Sequence, residues 1–141
     1  MFFKKRQPIN PWDAQMAKLS QTAIQYGVPF GKALDYSPAS LSDLEEILEY
    51  YHQDSEKNCP TENQLWSMAL IFGAYLGETL LKNGMREKGF FWDVVDESNI
   101  PVLKKNNSSY ASPVHKVYKR FVNGSEDSIV SFYDVSLTLW Q

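Results

Sequence analysis

The sequence predicts a single α+β domain, residues 1–141, with about five helices packed around a small antiparallel β-sheet of two to three strands at residues about 89–110. Three observations favour this fold class. Apolar residues recur at helical spacing over most of the chain, whereas residues 90–103 hold short aromatic and β-branched runs separated by polar residues. A length of 141 residues suits one domain. The composition, 43% hydrophobic and 22% charged, excludes intrinsic disorder.

The first two helices are predicted from their start signals. An asparagine N-cap, a proline at the first helical position and an acid two residues later predict a helix from Pro11 to about Tyr26. Residues 1–9 precede this start and are predicted to form a flexible N-terminal segment. Ser37-Pro38 opens a second helix, which is amphipathic, with leucines on one side and acidic residues on the others.

The third helix is predicted to be the central one. Thr61 begins a capping box of the Ser/Thr-x-x-Glu/Gln type, and a long apolar run with little polar circumference follows it. Gly73 and Gly77 lie four residues apart on one face of this helix. Because glycine is unfavourable in a helix interior, we expect another element to approach the helix closely at these two positions.

The apolar runs at residues 90–95 and 100–103 predict a β-hairpin. Pro101 cannot donate a hydrogen bond to a β-ladder, so the second strand is expected to begin at a sheet margin or to lie on an edge. Residues 104–110 are interpreted as a polar turn, with a third short strand after it as an option.

Two more helices are predicted after the sheet. The fourth opens at Pro113 and stops at Gly124. Ser125 is expected to cap the last helix, which would carry Glu126 and Asp127 in its first turn, where acidic side chains interact favourably with the helix dipole.

A combination of motifs resembles a family of small bacterial proteins known only as a domain of unknown function. The similarity covers roughly residues 34–133. The motifs are a Gly-Ala-Tyr-Leu-Gly-Glu helix at residues 73–78, a strand tryptophan at Trp92, and an Asn-Gly-x-Glu-Asp-Ser helix junction at residues 123–128. The resemblance implies a bacterial source and an α+β domain, and it implies no activity, cofactor or catalytic residue.

Charge and cysteine content exclude several classes of protein. The chain has 14 Lys and Arg against 17 Asp and Glu, a net charge of −3, which argues against a nucleic-acid-binding domain. The single cysteine, Cys59, excludes an intramolecular disulfide and is typical of a reducing compartment. The longest uncharged stretch, residues 63–77, is shorter than the roughly 20 residues that span a bilayer, and no signal peptide is recognised. A cytoplasmic protein without membrane association is predicted.

The sequence offers few candidates for chemistry. His52, His115 and Cys59 are too far apart in the chain for a recognisable zinc motif, so neither a metal nor a cofactor is predicted. Glu78, on the apolar third helix, is open to two interpretations. It could be a general acid or base in a small cleft together with His115, or it could form an ion pair with Lys82, Lys119 or Arg120. We favour the ion pair, so Glu78 and His115 are weak catalytic candidates only.

The acidic second helix is the most marked surface property of the chain. Residues 35–62 contain eight acidic residues and one basic residue. The exposed acids are either a solvated face or a docking surface for a basic protein partner. The partner-binding candidates are Asp43, Glu45, Glu46 and Glu49.

With no clear catalytic group, the predicted function is a non-catalytic protein–protein interaction module. An immunity-type protein that neutralises a toxin is one concrete form. The alternative is a small enzyme with a cleft that contains Glu78. The identity of the protein partner is not indicated.

Overall fold

A computed structural model describes residues 9–140, and within them it contains five α-helices and one three-stranded antiparallel sheet, which confirms the α+β prediction. Residues 1–8 of the predicted N-terminal segment lie outside the described residues, as does residue 141. The helices are α1 Pro11–Gly27, α2 Ser40–Asn58, α3 Glu62–Leu80, α4 Pro113–Asn123 and α5 Ile129–Leu139. The strands are β1 Phe91–Asp93, β2 Val102–Asn106 and β3 Ser109–Ala111, in the order β1-β2-β3.

Helix α3 is the centre of the fold, as predicted. The Thr61 hydroxyl accepts a hydrogen bond from Gln64 N at 3.1 Å, and the Gln64 side chain accepts one from Thr61 N at 2.8 Å, so the capping box is complete. All nine residues from Phe72 to Leu80 are buried. Helices α1 and α4 pack extensively against α3.

The starts of α1 and α2 follow from local hydrogen bonding. The Asn10 side chain accepts a hydrogen bond from Asp13 N at 2.9 Å, and this cap begins α1 at Pro11 as predicted. Helix α2 begins at Ser40, three residues after Ser37. The Ser37 hydroxyl nevertheless accepts a hydrogen bond from Ser40 N at 3.2 Å, so the predicted start signal lies in the turn before the helix.

The two glycines of α3 allow close approach, which confirms the expectation. A Cβ atom on Gly73 would lie 2.6 Å from the Cα atom of Val114, where α4 crosses α3. A Cβ atom on Gly77 would overlap the six-membered ring of Trp92, which lies across the helix from β1. The absence of a side chain at Gly73 therefore lets the backbone of α4 pack closely, and at Gly77 it lets the Trp92 ring do so.

The sheet is a meander whose second strand is longer than predicted. Trp92 of β1 is opposite Leu103 of β2, and Lys104 of β2 is opposite Tyr110 of β3. The interpretation of residues 104–110 as a polar turn was wrong at both ends, because residues 104–106 belong to β2 and residues 109 and 110 belong to β3. This end of β2 is partly or fully exposed, and the Lys104 ammonium lies 3.4 Å from the Asp93 carboxylate on the neighbouring strand, so its polar side chains are compatible with pairing.

The predicted cap of the last helix was also wrong. Gly124 ends α4 with a positive φ of 83°, and residues Gly124–Asp127 form a 3₁₀ turn. The side chain that caps α5 belongs to Ser128, whose hydroxyl accepts a hydrogen bond from Ser131 N at 3.2 Å. Ser125 and the acidic pair that follows it lie in the preceding turn, where Asp127 pairs with Lys116 at 2.8 Å.

Candidate functional site

A buried tryptophan and a buried carboxylate meet where β1 faces α3. The Trp92 ring nitrogen Nε1 donates a hydrogen bond to Glu78 Oε2 at 2.9 Å. Trp92 is fully buried, and Glu78 is 6% exposed. Because Gly77 has no side chain, the indole can reach across α3 to the carboxylate of the next residue.

The backbone of Trp92 is held by α1 and by the segment that follows α3. Asp13 Oδ1 accepts hydrogen bonds from Trp92 N at 3.3 Å and from Arg86 Nη2 at 3.0 Å. The Asn10 amide donates a hydrogen bond to the Trp92 carbonyl at 3.0 Å. The polar groups around Trp92 therefore bind one another and join α1, α3 and β1. This arrangement stabilises the fold.

The predicted ion pair of Glu78 was wrong, because the ion pairs within residues 9–140 do not include this carboxylate. The Lys82 ammonium lies over the Tyr36 ring, 4.8 Å from its centroid, and Arg120 pairs with acids of α2. Burial raises the pKa of Glu78, and the hydrogen bond from Trp92 opposes this rise in part. The group is a buried acid with a tryptophan partner.

His115 lies in different surroundings on α4. Its ring meets the Trp66 ring edge-on with the centroids 5.5 Å apart, and Tyr118 stacks on the same tryptophan at 4.0 Å. Burial lowers the pKa of His115, and the charge of Asp96 opposes this in part. The charged neighbours of Glu78 are Lys82, Arg86 and Asp13 instead. No hydrogen bond joins Glu78 to His115 among the hydrogen bonds of the described residues.

Two of the four acidic candidates on α2 bind the same lysine. The Lys32 ammonium lies 3.2 Å from the Asp43 carboxylate and 3.0 Å from the Glu46 carboxylate. The hydrogen bond to Glu46, followed by the one to Asp43, raises the pKa of Lys32. These acids are at the surface, but a cation of the same chain already offsets part of their charge.

The other two acidic candidates bind the buried Arg120. Its guanidinium donates a hydrogen bond to Glu45 at 2.8 Å and lies 2.9 Å from Glu49, the latter without hydrogen-bond geometry. Glu45 Oε2 also accepts hydrogen bonds from the Ser128 hydroxyl at 2.6 Å and from Val130 N at 3.2 Å. Burial acts to raise the pKa of Glu45, but these hydrogen bonds outweigh it and lower the pKa. Glu45 thus fastens the start of α5 to α2.

An open groove of about 640 Å³ lies between the second half of α2 and the first half of α3. The two helices leave the Cys59-Pro60-Thr61 connection and both reach α4, whose Phe121 lies at the bottom of the groove. Most of its surface is apolar. The apolar lining comes from Tyr51, Leu65, Met68, Pro60 and Phe121.

Polar side chains form the rim of this groove. Asp54 is the charged residue among those that line it, and its carboxylate accepts a hydrogen bond from the Asn58 amide at 2.7 Å. Gln64 lines the opposite wall, where its side chain is engaged in the cap of α3. Ser55 donates its hydroxyl hydrogen to the His52 carbonyl at 2.7 Å. The groove combines an apolar floor with hydrogen-bonding edges.

The aromatic residues beside the groove extend the apolar surface. The Tyr51 ring contacts Phe30 with centroids 5.8 Å apart and Tyr50 at 5.4 Å. Tyr50, whose ring also contacts Phe30, is 56% exposed. Val28 lies in the same short 3₁₀ helix as Phe30 and is 69% exposed. Exposed tyrosine beside an apolar recess is typical of protein-binding surfaces.

The sequence did not predict this groove. Leu65 and Met68 lie three residues apart on the same stripe of α3 as the core residue Phe72. Periodicity identifies which helix face is apolar, but it does not identify whether another element covers that face. One signal in the sequence could have indicated the groove. Asp54 is an acid within one turn of Tyr51 on the apolar side of an amphipathic helix, which indicates that this side is not fully covered.

Two further findings concern the described residues alone. Within residues 9–140, no three side chains of the metal-binding types lie close enough together to share an ion. None of the helices described there combines the length and the hydropathy needed to cross a membrane.

Comparisons with models of protein families, with curated proteins and with solved structures find no match to this chain. The resemblance of residues 34–133 to a bacterial domain of unknown function therefore stays a prediction.

Proposed function

We propose that this chain is a non-catalytic protein-binding module and that the groove between α2 and α3 is its binding site. The observation that carries the proposal is the apolar recess of about 640 Å³, which is bordered by hydrogen-bonding side chains and continues through the half-buried Tyr51 to the exposed Tyr50. Such an apolar centre with a polar rim is the usual form of a protein interface.

The proposal includes a cellular setting. We place the binding in the bacterial cytoplasm, on the basis of the single cysteine and of the family resemblance. The partner is a protein rather than a nucleic acid, because the chain is acidic. Neutralisation of a toxin is one form that such binding could take.

The enzymatic alternative has one observation in its favour, the raised pKa of Glu78. The carboxylate is 6% exposed, bound to Trp92 and absent from the lining of the groove. A general acid must come within hydrogen-bonding reach of its substrate. Protein binding is therefore the better supported of the two functions.

A site-specific crosslink tests the proposed function. A photoreactive amino acid replaces Asn63, which is exposed and lines the groove, and the matched control carries it at Glu97, which is exposed in the loop between β1 and β2. We expect irradiation in the native host to give a discrete protein adduct from position 63 alone. Identical products from both positions, or none from position 63, would contradict a binding site in the groove.

A further inference from the structure

We infer that the segment bound in the groove is a basic amphipathic α-helix supplied by the partner. This inference rests on the proposed function and adds the conformation and the charge of the bound segment. It follows from three properties of the groove, namely the hydrogen bonding of its walls, its length and the charge on its rim.

The walls of the groove offer few hydrogen bonds to an extended chain. Both walls are helices, and away from the ends next to residues 59–61 their backbone N–H and C=O groups are paired within α2 and α3. Two of the three side-chain amides that line the groove are engaged as well, Asn58 with Asp54 and Gln64 with Thr61. An extended peptide would lose water from its backbone and gain few partners, whereas a helix satisfies its own backbone groups.

The length of the groove fits about two turns of helix. Its lining along α2 runs from Tyr51 to Asn58, which is about 10 Å at the helical rise per residue. On the α3 side, Leu65 and Met68 are three residues apart and form one ridge. Two apolar side chains spaced three or four residues apart on the bound helix would meet this ridge and the Phe121 floor, in the manner of helix–helix packing.

The charge of the rim selects a basic helix. Asp54 is not included in the ion pairs of residues 9–140, in contrast to Asp43 and Glu46, which share Lys32, and to Glu45 and Glu49, which bind Arg120. Asp54 is half-buried at the edge of the apolar floor, where the lower dielectric strengthens the attraction of a carboxylate for a cation. A lysine or arginine next to the apolar anchors would complete the contact.

Three synthetic peptides of equal length test the inference. The first repeats leucine and lysine at helical spacing, the second has the same composition with leucine and lysine alternating, and the third replaces lysine by glutamate at helical spacing. Binding is measured by fluorescence anisotropy of the labelled peptides and by protection of the exposed Cys59, which lies between the groove residues Asn58 and Pro60, against alkylation.

We expect the basic helical peptide to bind at least about tenfold more tightly than the other two and to slow the alkylation of Cys59. Asp54→Lys should weaken its binding about tenfold, and Asp54→Asn less. Asp134→Lys, the same charge change on the exposed side of α5, should change it less than about twofold. Circular dichroism of each variant checks that the fold is intact.

Tighter binding of the alternating or the acidic peptide would overturn the inference. Equal weakening by Asp54→Lys and Asp134→Lys would also overturn it, because binding would then depend on net charge and not on the groove. If the position 63 crosslink captures a protein while the basic helical peptide fails to bind, the proposed function stands and the helix inference fails. Failure of the crosslink removes the proposed function itself.

Discussion

Replacing Gly77 with alanine adds one methyl group at the point where Trp92 lies across α3. Alanine is favoured over glycine in a helix interior by about 1 kcal/mol, so the change would be stabilising if the site were open. The structure predicts the opposite result. The new Cβ atom overlaps a ring that is fully buried and has no flexible end to turn away.

The size of the effect has two parts. Overpacking a well-packed core costs about 1–3 kcal/mol. Movement of the ring also removes the hydrogen bond from Trp92 Nε1 to Glu78, and a buried polar group without a partner costs about 1–3 kcal/mol. After the helix propensity of alanine is subtracted, we expect the free energy of unfolding to fall by about 1–5 kcal/mol.

Urea denaturation measures this fall, and the near-ultraviolet circular dichroism of the tryptophans shows whether the ring has moved. Ser67→Ala is the matched control, because it places alanine at an exposed position of the same helix. It should leave the stability unchanged or raise it slightly. A Gly77→Ala protein as stable as the wild type would refute the close packing of Trp92 on α3.

Three other changes give distinct expectations. Because burial raises the pKa of Glu78 in the folded state, its contribution to stability is lost as the pH rises through that pKa, so Glu78→Gln should be the more stable protein at neutral pH, and the difference should shrink in acid. Arg120→Met breaks a buried ion pair and should cost about 3 kcal/mol, whereas Lys32→Met, at a more exposed pair, should cost much less. Ser128→Ala removes the cap of α5 and should cost about 1 kcal/mol, whereas Ser125→Ala should be nearly neutral.

Denaturation curves check all three. A stability difference between wild type and Glu78→Gln that does not vary with pH would contradict a buried, titrating carboxylate. Equal losses from Arg120→Met and Lys32→Met would mean that burial does not distinguish the two ion pairs. A larger loss from Ser125→Ala than from Ser128→Ala would restore the sequence-based position of the cap.

Local signals in the sequence predicted most of the elements, and a contact between distant residues accounts for the wrong partner of Glu78. The cap at Asn10, the capping box at Thr61 and the spacing of Gly73 and Gly77 involve residues a few positions apart, although the groups that approach the two glycines are distant in the chain. The partner of Glu78 depends on Trp92, fourteen residues away in another element, and no spacing rule reveals it.

The candidate site was harder to predict than the fold. Glu45 was interpreted as part of an acidic surface, but its partner Arg120 is 75 residues away, so the sequence could not show that the fold itself binds this carboxylate. The groove is a gap between α2 and α3, and its existence depends on where α4 packs against these two helices. Helical periodicity alone contains no information on that placement.

The attachment of α5 has a consequence for hydrogen exchange in the native state. At its start, Glu45 binds Ser128 and Val130, and at its end the Trp140 ring packs on Phe90 with centroids 5.2 Å apart. Because the pKa of Glu45 is lowered in the folded protein, the stability that this carboxylate provides is lost as the pH falls through that pKa. Acid should therefore release α5 as one cooperative unit, whose amide protons exchange with solvent before those of α3.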